Sequence, residues 1–539
     1  MTKDVVTTEN LSRRNIIAGA AIALGATSLL KSQDAKAGTF TPANVVDLGA
    51  DPTGATPSNT AITSALSTGQ PVYFPPGKYL ITTPITTSNR DLVIFGDGPD
   101  VAQIWVSGNI NGITFTGNLG DYTIDQLVVS RIGLLAKNGT CAAAIDASWS
   151  DSRTSPAATV PAAIIKDVSI SYQDSSSRFS MGIKLNRGPA SRIVDCHLSQ
   201  APNQNPTATG IYLTTPSGTY APDTRIVGCE LVGQNIGILI DSSMEGITVS
   251  ECTIIGVYTG IRWDASSRPQ GTAYLHVSGC HFNVWGTNGT SGIHTTNVFN
   301  VVARGNNFLI AMPNATGVRM DRANSTINFY EDSIIAHNNF HLNASSGANY
   351  GITISGYNSS RRAEKILIDG NRFGGLQWTN TVYLGTDTTN IVYTGTNLAD
   401  SGETVADLGY RNKLHSGQLN STSTPGFTMT DGAGGSFAAG SYCLCDYVRN
   451  GENLALHVVL VITGGSGIKP IIVTFPTNFA LVPVTHCTLS GMRIDTTTGA
   501  ACQGVIAAIP PPYQLKIVDY ANNFPAGSIF AVSGTMRSS

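Results

Sequence analysis

The sequence predicts an all-β protein: a right-handed parallel β-helix with an N-terminal helical cap, followed by a small C-terminal antiparallel β-sandwich. Three observations predict it. First, one phrase recurs seven times: Gly182-Ile-Lys-Leu-Asn186, Gly210-Ile-Tyr-Leu-Thr214, Gly237-Ile-Leu-Ile-Asp241, Gly260-Ile-Arg-Trp-Asp264, Gly292-Ile-His-Thr-Thr296, Gly317-Val-Arg-Met-Asp321 and Gly351-Ile-Thr-Ile-Ser355. Successive glycines lie 28, 27, 23, 32, 25 and 34 residues apart, the signature of a solenoid with variable loops. Second, each copy is trailed by another phrase, ending in Cys196-His-Leu, Cys229-Glu-Leu, Cys252-Thr-Ile, Cys280-His-Phe, Asn306-Asn-Phe, Asn338-Asn-Phe and Asn371-Arg-Phe. Third, apolar residues alternate with period two and are punctuated by Gly, Asn, Ser and Pro, with no run of ten or more at helical spacing. Two strand-like phrases per repeat give a coil of parallel strands.

Along the chain, residues 1–37 read as a targeting segment. Ser12-Arg13-Arg14-Asn15-Ile16-Ile17 is a twin-arginine motif, the apolar stretch from Ile16 to Leu30 is too short to span a bilayer, and Ala35-Lys36-Ala37 suits cleavage. The mature protein is therefore expected in the periplasm or outside a bacterial cell, with no membrane attachment after cleavage. Residues 38–95 form the cap and first coil: Val45-Val-Asp-Leu-Gly-Ala50, then a short helix near Thr60–Leu66 with Ser58 or Asn59 as its cap, then Val72-Tyr-Phe-Pro-Pro-Gly-Lys-Tyr-Leu80. A solenoid must cover its open apolar end or polymerise, and a short amphipathic helix does this.

The segment Gly49-Ala50, Gly54, Ala61-Ile62 and Pro75-Pro-Gly77-Lys-Tyr79 resembles the amino-terminal signature of the pectate-lyase-like superfamily, which includes rhamnogalacturonase-type and polygalacturonase-related enzymes and phage tailspike depolymerases. Thr53 and Pro57 stand where that family usually carries aspartates. The resemblance implies the fold and a carbohydrate ligand, and it transfers no catalytic residue.

The coil is expected over 96–412, with a last clear repeat near Gly375. A polar linker follows at 413–425. From Gly426 the spacing of strand-like segments, among them Ser441-Tyr-Cys-Leu-Cys-Asp-Tyr-Val448 and Asn453–Ile462, suggests the sandwich, 426–539. Its open roles are glycan binding, assembly of a homotrimer, or closure of the coil.

A net charge of -3 and a pI near 6.3 offer no basic patch, which argues against nucleic acid as a partner. Of nine cysteines, Cys196, Cys229, Cys252 and Cys280 share one column with Asn306, Asn338 and Asn371, so they are expected to be buried free thiols stacked in a ladder. Asn can stack in such a column because its amide bonds both its neighbour and the turn backbone. No metal-type spacing accompanies them. Cys487 and Cys502 are the one pair considered for a disulfide.

In the glycine phrase, residues one and three after Gly should point inward, and those two and four after it outward. One face then carries Asp241 and Asp264 on consecutive turns, with Lys184, Asn186, Tyr212, Arg262, His294, Arg319 and Asp321 around them. Carboxylates roughly 5 Å apart can couple and divide acid and nucleophile roles. Asp264 and Asp321, a turn further apart at roughly 10 Å, approach the wider spacing of inverting hydrolysis. The arginines suit acidic sugars or an oxyanion, and Tyr212, with Trp285 in a loop, suits a sugar ring. On the bland reading the same residues are ordinary surface ion pairs. Glu230, His197 and His281 form a second outward group, read as solvated surface.

The expectation is an exported enzyme acting on a polysaccharide or oligosaccharide, a glycoside hydrolase with catalytic Asp241, Asp264 and Asp321, and with no cofactor. Two alternatives stand beside it. One is a polysaccharide lyase, with calcium held by the same carboxylates and Arg262 or Arg319 as the base. The other is a non-catalytic, tailspike-like glycan-binding protein.

Overall fold

A computed structural model describes residues 41–408 apart from 121–122, 152–159, 201–207, 217–222, 242–243, 266–272, 286–289, 323–331, 357–362, 395–396 and 401–404; beyond 408 it describes the backbone of the strands. Residues 1–37, expected to be a targeting segment, lie outside the described residues.

Each turn of the coil contributes three parallel strands. The glycine phrase is one of them, and its face is a sheet of 12 strands from Ile85–Ser88 to Val405–Asp407. The second phrase is two strands, split by a sharp corner: Thr224–Val227 and Glu230–Val232 flank Gly228 and Cys229, for example. We call these the leading and trailing faces. Sequence alternation could not separate them, because the corner costs only two residues and the apolar pattern runs through it. The long strand Leu127–Lys137 spans both faces, pairing with Leu92–Gly96 on one side of the corner and Ala102–Ser107 on the other.

The residue before each ladder position makes the corner. Asp195, Gly228, Glu251, Gly279, Gly305, His337 and Gly370 all have φ between 53° and 66°. Left-handed backbone is free for glycine and costs other residues roughly 1–2 kcal/mol. The ladder behind it recovers backbone hydrogen bonds. Cys280 N–H donates to Asn306 Oδ1 at 2.9 Å, Asn306 N–H to Asn338 Oδ1 at 3.0 Å, and Asn338 N–H to Asn371 Oδ1 at 3.0 Å. Each Asn amide also donates to a leading-face carbonyl one turn back, as Asn338 does to Ala303 at 2.9 Å. The thiols of Cys196, Cys229, Cys252 and Cys280 donate to the equivalent carbonyls of Ile165, Ile193, Ile226 and Val249. All four are buried and free, as expected, as is Cys141. Asn397, in no recognised repeat, accepts from Asn371 and extends the ladder by one rung.

The glycines that open the repeat have a packing reason. A Cβ at Gly317 would lie 2.5 Å from the Phe340 ring and 2.7 Å from the Gly351 carbonyl, and one at Gly237 would lie 2.6 Å from the Gly260 carbonyl. The trailing-face residue two after the ladder thus fills the space that the glycine vacates. In the later turns it is Phe282, Phe308, Phe340 and Phe373, stacked at 4.8–5.0 Å with rings within 8° of parallel. Inward and outward positions follow the expected alternation: Ile183 and Leu185 are buried, Lys184 and Asn186 half-exposed.

The cap helix runs Asn59–Ser67 and buries Ala61, Ile62, Ala65 and Leu66. Ser58 occupies the N-cap position, yet its hydroxyl bonds the Asp51 backbone and not the helix. The Asn59 side chain ties the helix to Thr82 and Thr83 of the first coil.

Past the coil, nine strands from Gly417–Asn420 to Ile529–Arg537 pair antiparallel in one sheet. Cys487 lies opposite Ile506, and Cys502 opposite Gly491. That register sets the two cysteines four residues apart along neighbouring strands, roughly 13 Å, which is beyond the reach of a disulfide. Spacing in sequence could not reveal this, because the register of a hairpin decides it.

Candidate functional site

Two outward rows run along the glycine face. The register pairs Asp146, Lys184, Tyr212, Leu239, Arg262, His294, Arg319 and Thr353 in the first row, one per turn. Beside it run Asn186, Thr214, Asp241, Asp264, Thr296, Asp321 and Ser355. Every residue singled out on this face from the sequence therefore lies in one of two adjacent rows. Parallel neighbours are about 4.8 Å apart, so Asp241 and Asp264 sit on adjoining rungs, and Asp321 is two rungs beyond Asp264.

The three aspartates differ in their surroundings. Asp241 is exposed and accepts a hydrogen bond from the Tyr212 hydroxyl at 3.1 Å. Burial, with the Asp241 charge adding to it, pushes the Tyr212 phenol up, so it remains a donor through the neutral range. Asp264 is half-buried between Asp241 and Thr296. Asp321 is engaged twice: Arg319 Nε donates to its Oδ2 at 2.6 Å, and His294 Nε2 lies 3.0 Å from the same oxygen. Burial works to raise the Asp321 carboxyl; the His294 hydrogen bond and the Arg319 and His294 charges outweigh it and hold the carboxyl below its ordinary range. A carboxylate so held is a poor proton donor, and its geometry is that of an anchor for two cations.

The remaining residues sort by partner. Lys184 is neutralised by Asp146 at 3.2 Å. Asp146 escaped the sequence reading because its phrase, Ala144-Ile-Asp-Ala-Ser148, opens on alanine; the same phrase with its first letter relaxed would have found it. Tyr383, paired with Thr353, extends the first row and was missed likewise, in Thr381-Val-Tyr-Leu384. Asn186 keeps its side-chain oxygen buried and without a hydrogen-bond partner among the described residues. Arg262 is exposed and has no hydrogen bond or ion pair among the described residues. Trp285 is exposed just after the trailing-face strand His281–Val284 and lies off the rows. His197 and Glu230 form an exposed pair at 2.9 Å on the trailing face, with His281 two rungs from Glu230.

Calcium would need converging carboxylates. Asp241, Asp264 and Asp321 instead spread over four successive rungs, with one oxygen of Asp321 committed to Arg319 and His294. Among the described residues no three His, Cys, Asp or Glu side chains gather to hold a metal ion. The site does not fit calcium.

Fold and site together define a parallel β-helix protein with a carboxylate-bearing outward face. Residues 43–282 match the family model of rhamnogalacturonase A/epimerase, pectate lyase-like. No curated protein matches the sequence. Among solved structures, the chain is similar to the Dettilon tailspike protein, at 12% identity and a TM-score of 0.42 over 92% of this chain and 94% of that one. It is also similar to the tailspike protein gp49 from Pseudomonas phage LKA1, at 12% identity and a TM-score of 0.43 over 92% and 99% of the two chains. The surface adhesin PfbA of Streptococcus pneumoniae matches at 13% identity and a TM-score of 0.33 over 76% and 97%.

Proposed function

We propose that the protein acts on a polysaccharide laid along the glycine face, as a glycoside hydrolase with Asp241 and Asp264 as its carboxylate pair. The observation that carries this reading is the in-register pairing of Asp241 with Asp264 on adjoining rungs. The match to a pectate-lyase-like family model supports the substrate class. One-rung spacing, about 4.8 Å between backbones, belongs with the short carboxylate separation of retaining enzymes, about 5 Å. Asp241, fixed as an acceptor by Tyr212, attacks the anomeric carbon. Asp264, the less exposed of the two, gives its proton to the leaving oxygen and then takes one from the water that cleaves the glycosyl ester. Asp321, expected as a third catalytic carboxylate, serves in this reading to hold Arg319 and His294 against the substrate.

Elimination is the rival, because Arg262, exposed and without an ion pair among the described residues, stands on the same face as a cation for an acidic sugar or a base. Incubation with neutral and acidic polysaccharides separates the readings. New reducing ends without ultraviolet absorbance mean hydrolysis; both signals together mean elimination. Binding without either means a glycan-binding protein and overturns the proposal. Export through the twin-arginine motif and a homotrimer belong to the same reading; protease protection in cells and light scattering on the purified protein test them.

A further inference from the structure

A second aromatic lies on the leading face, off the carboxylate rows. Tyr274 opens a leading-face strand, Tyr274–Ser278, paired with Gly246–Ser250 one turn earlier. Gly246 is an outward position, since Thr248 beside it is outward and Ile247 and Val249 are buried. A Cβ at Gly246 would collide with the Tyr274 ring at its hydroxyl-bearing end. The ring therefore lies across the sheet over the glycine, and its hydroxyl reaches a second turn back to donate to Asp223. The residue remains 37% exposed, one of two exposed aromatics among the described residues.

Its surroundings are polar and of mixed charge. The phenol is pushed up to about 12, first by burial, then by the Asp223 hydrogen bond and the Asp223 and Glu245 charges, with Arg225 opposing them. Arg225 is exposed and has no hydrogen bond or ion pair among the described residues, and it shares its row with Thr248 and His276. An anchored ring with hydroxyl-binding groups at its rim is the chemistry that recognises a pyranose: the ring takes the apolar C–H face, and carboxylate and guanidinium take the hydroxyls. Packing against a bare glycine would alone explain the ring's position, but not its anchoring by Asp223 or the unpaired cation beside it. Gly246 follows Asp241 by five residues, which limits their separation to about 17 Å of extended chain.

We propose that Tyr274, with Asp223, Arg225 and Glu245, forms an accessory subsite that binds a sugar ring of a polysaccharide apart from the carboxylate pair. Only the choice of polymer rests on the function proposed above. The test uses Asp264→Asn, so that nothing is degraded, in native gels containing xylan, galactan, dextran or polygalacturonate. Adding Tyr274→Ala is expected to weaken retardation at least tenfold in the polymer that retards the parent, while Tyr274→Phe, which keeps the ring, stays within about threefold. Melting temperatures equal to the parent's certify the fold, and Arg225→Gln supplies a second variant at the rim. Retardation unchanged in Tyr274→Ala and Arg225→Gln, or no retardation by any polymer, overturns the subsite. Ring-dependent retardation by a wild-type protein that releases no reducing ends would leave the subsite standing and remove the hydrolase.

Discussion

At the scale of single residues the chemistry divides between two kinds of aspartate. Asp241 is exposed and accepts from the Tyr212 hydroxyl, and Asp264 lies half-buried one rung on, whereas Asp321 is bound by both Arg319 and His294. Under the proposed hydrolysis, Asp241→Asn and Asp264→Asn should each lower the rate of reducing-end release at least a hundredfold with an unchanged melting temperature, since each would remove a group assigned to making or breaking a bond. Activity within tenfold of wild type in both would move the active site elsewhere. Asp321 makes a different prediction, about pH. Its folded carboxyl titrates below its unfolded value, so its contribution to stability is fully present above the ordinary carboxylate range and disappears as pH falls through the folded value. The wild type should therefore melt above Asp321→Asn at pH 7, by the equivalent of about 1 kcal/mol for a partly exposed cluster. The two should converge as pH falls below about 4. A difference that persists at pH 2.5 would mean that the Asn variant fails for reasons of shape and not charge.

At the scale of the element, glycine enters the repeat for two unrelated reasons, and substitution separates them. At Gly305, φ is 66° with nothing near a new Cβ, so Gly305→Ala should cost about 1 kcal/mol from backbone strain alone. At Gly237 a Cβ meets the Gly260 carbonyl at 2.6 Å, so Gly237→Ala should cost about 3 kcal/mol through overpacking. Urea melts that rank the two the other way would refute the packing account of the repeat. The ladder adds a third case. Asn338→Ala would orphan the Asn306 N–H and the Ala303 carbonyl in the interior and should cost about 3 kcal/mol or more, read in the same melts. The period, the alternation and the ladder column were all legible in the sequence because each depends on one residue type recurring at one place. The split of the second phrase was not. Asp195, Glu251 and His337 make the same corner as Gly228, and no residue type common to them announces it. The carboxylate rows were legible for the same reason as the ladder, while Asp146 and Tyr274 were not. Asp146 follows an alanine in place of glycine, and Tyr274 matters only because Gly246 happens to lie beneath it, on another turn.

For the whole molecule the governing problem is the open end of a stack. Twelve strands of the glycine face bury their interior by covering one another, and among the described residues the first turn has no earlier turn beneath it. The cap helix meets that need with four buried residues and with the Arg90 guanidinium, which donates to the Leu66 carbonyl at the helix end at 2.8 Å. Local capping contributes little, because the Ser58 hydroxyl is spent on Asp51 and the helix is held by what it covers. Ile62, 1% exposed, lies at the centre of that cover. Ile62→Asp should therefore dislodge the helix without unfolding the later turns, whose ladder and phenylalanine stack lie far along the coil. The expected signature is a rise in light scattering with time and protein concentration, as uncovered first turns pair with one another, while the circular dichroism of the parallel sheet is preserved. Loss of the β signal together with the scattering would show instead that the cap nucleates the coil. The stack would then fold from its first turn onward, and not from the turns around the phenylalanine stack.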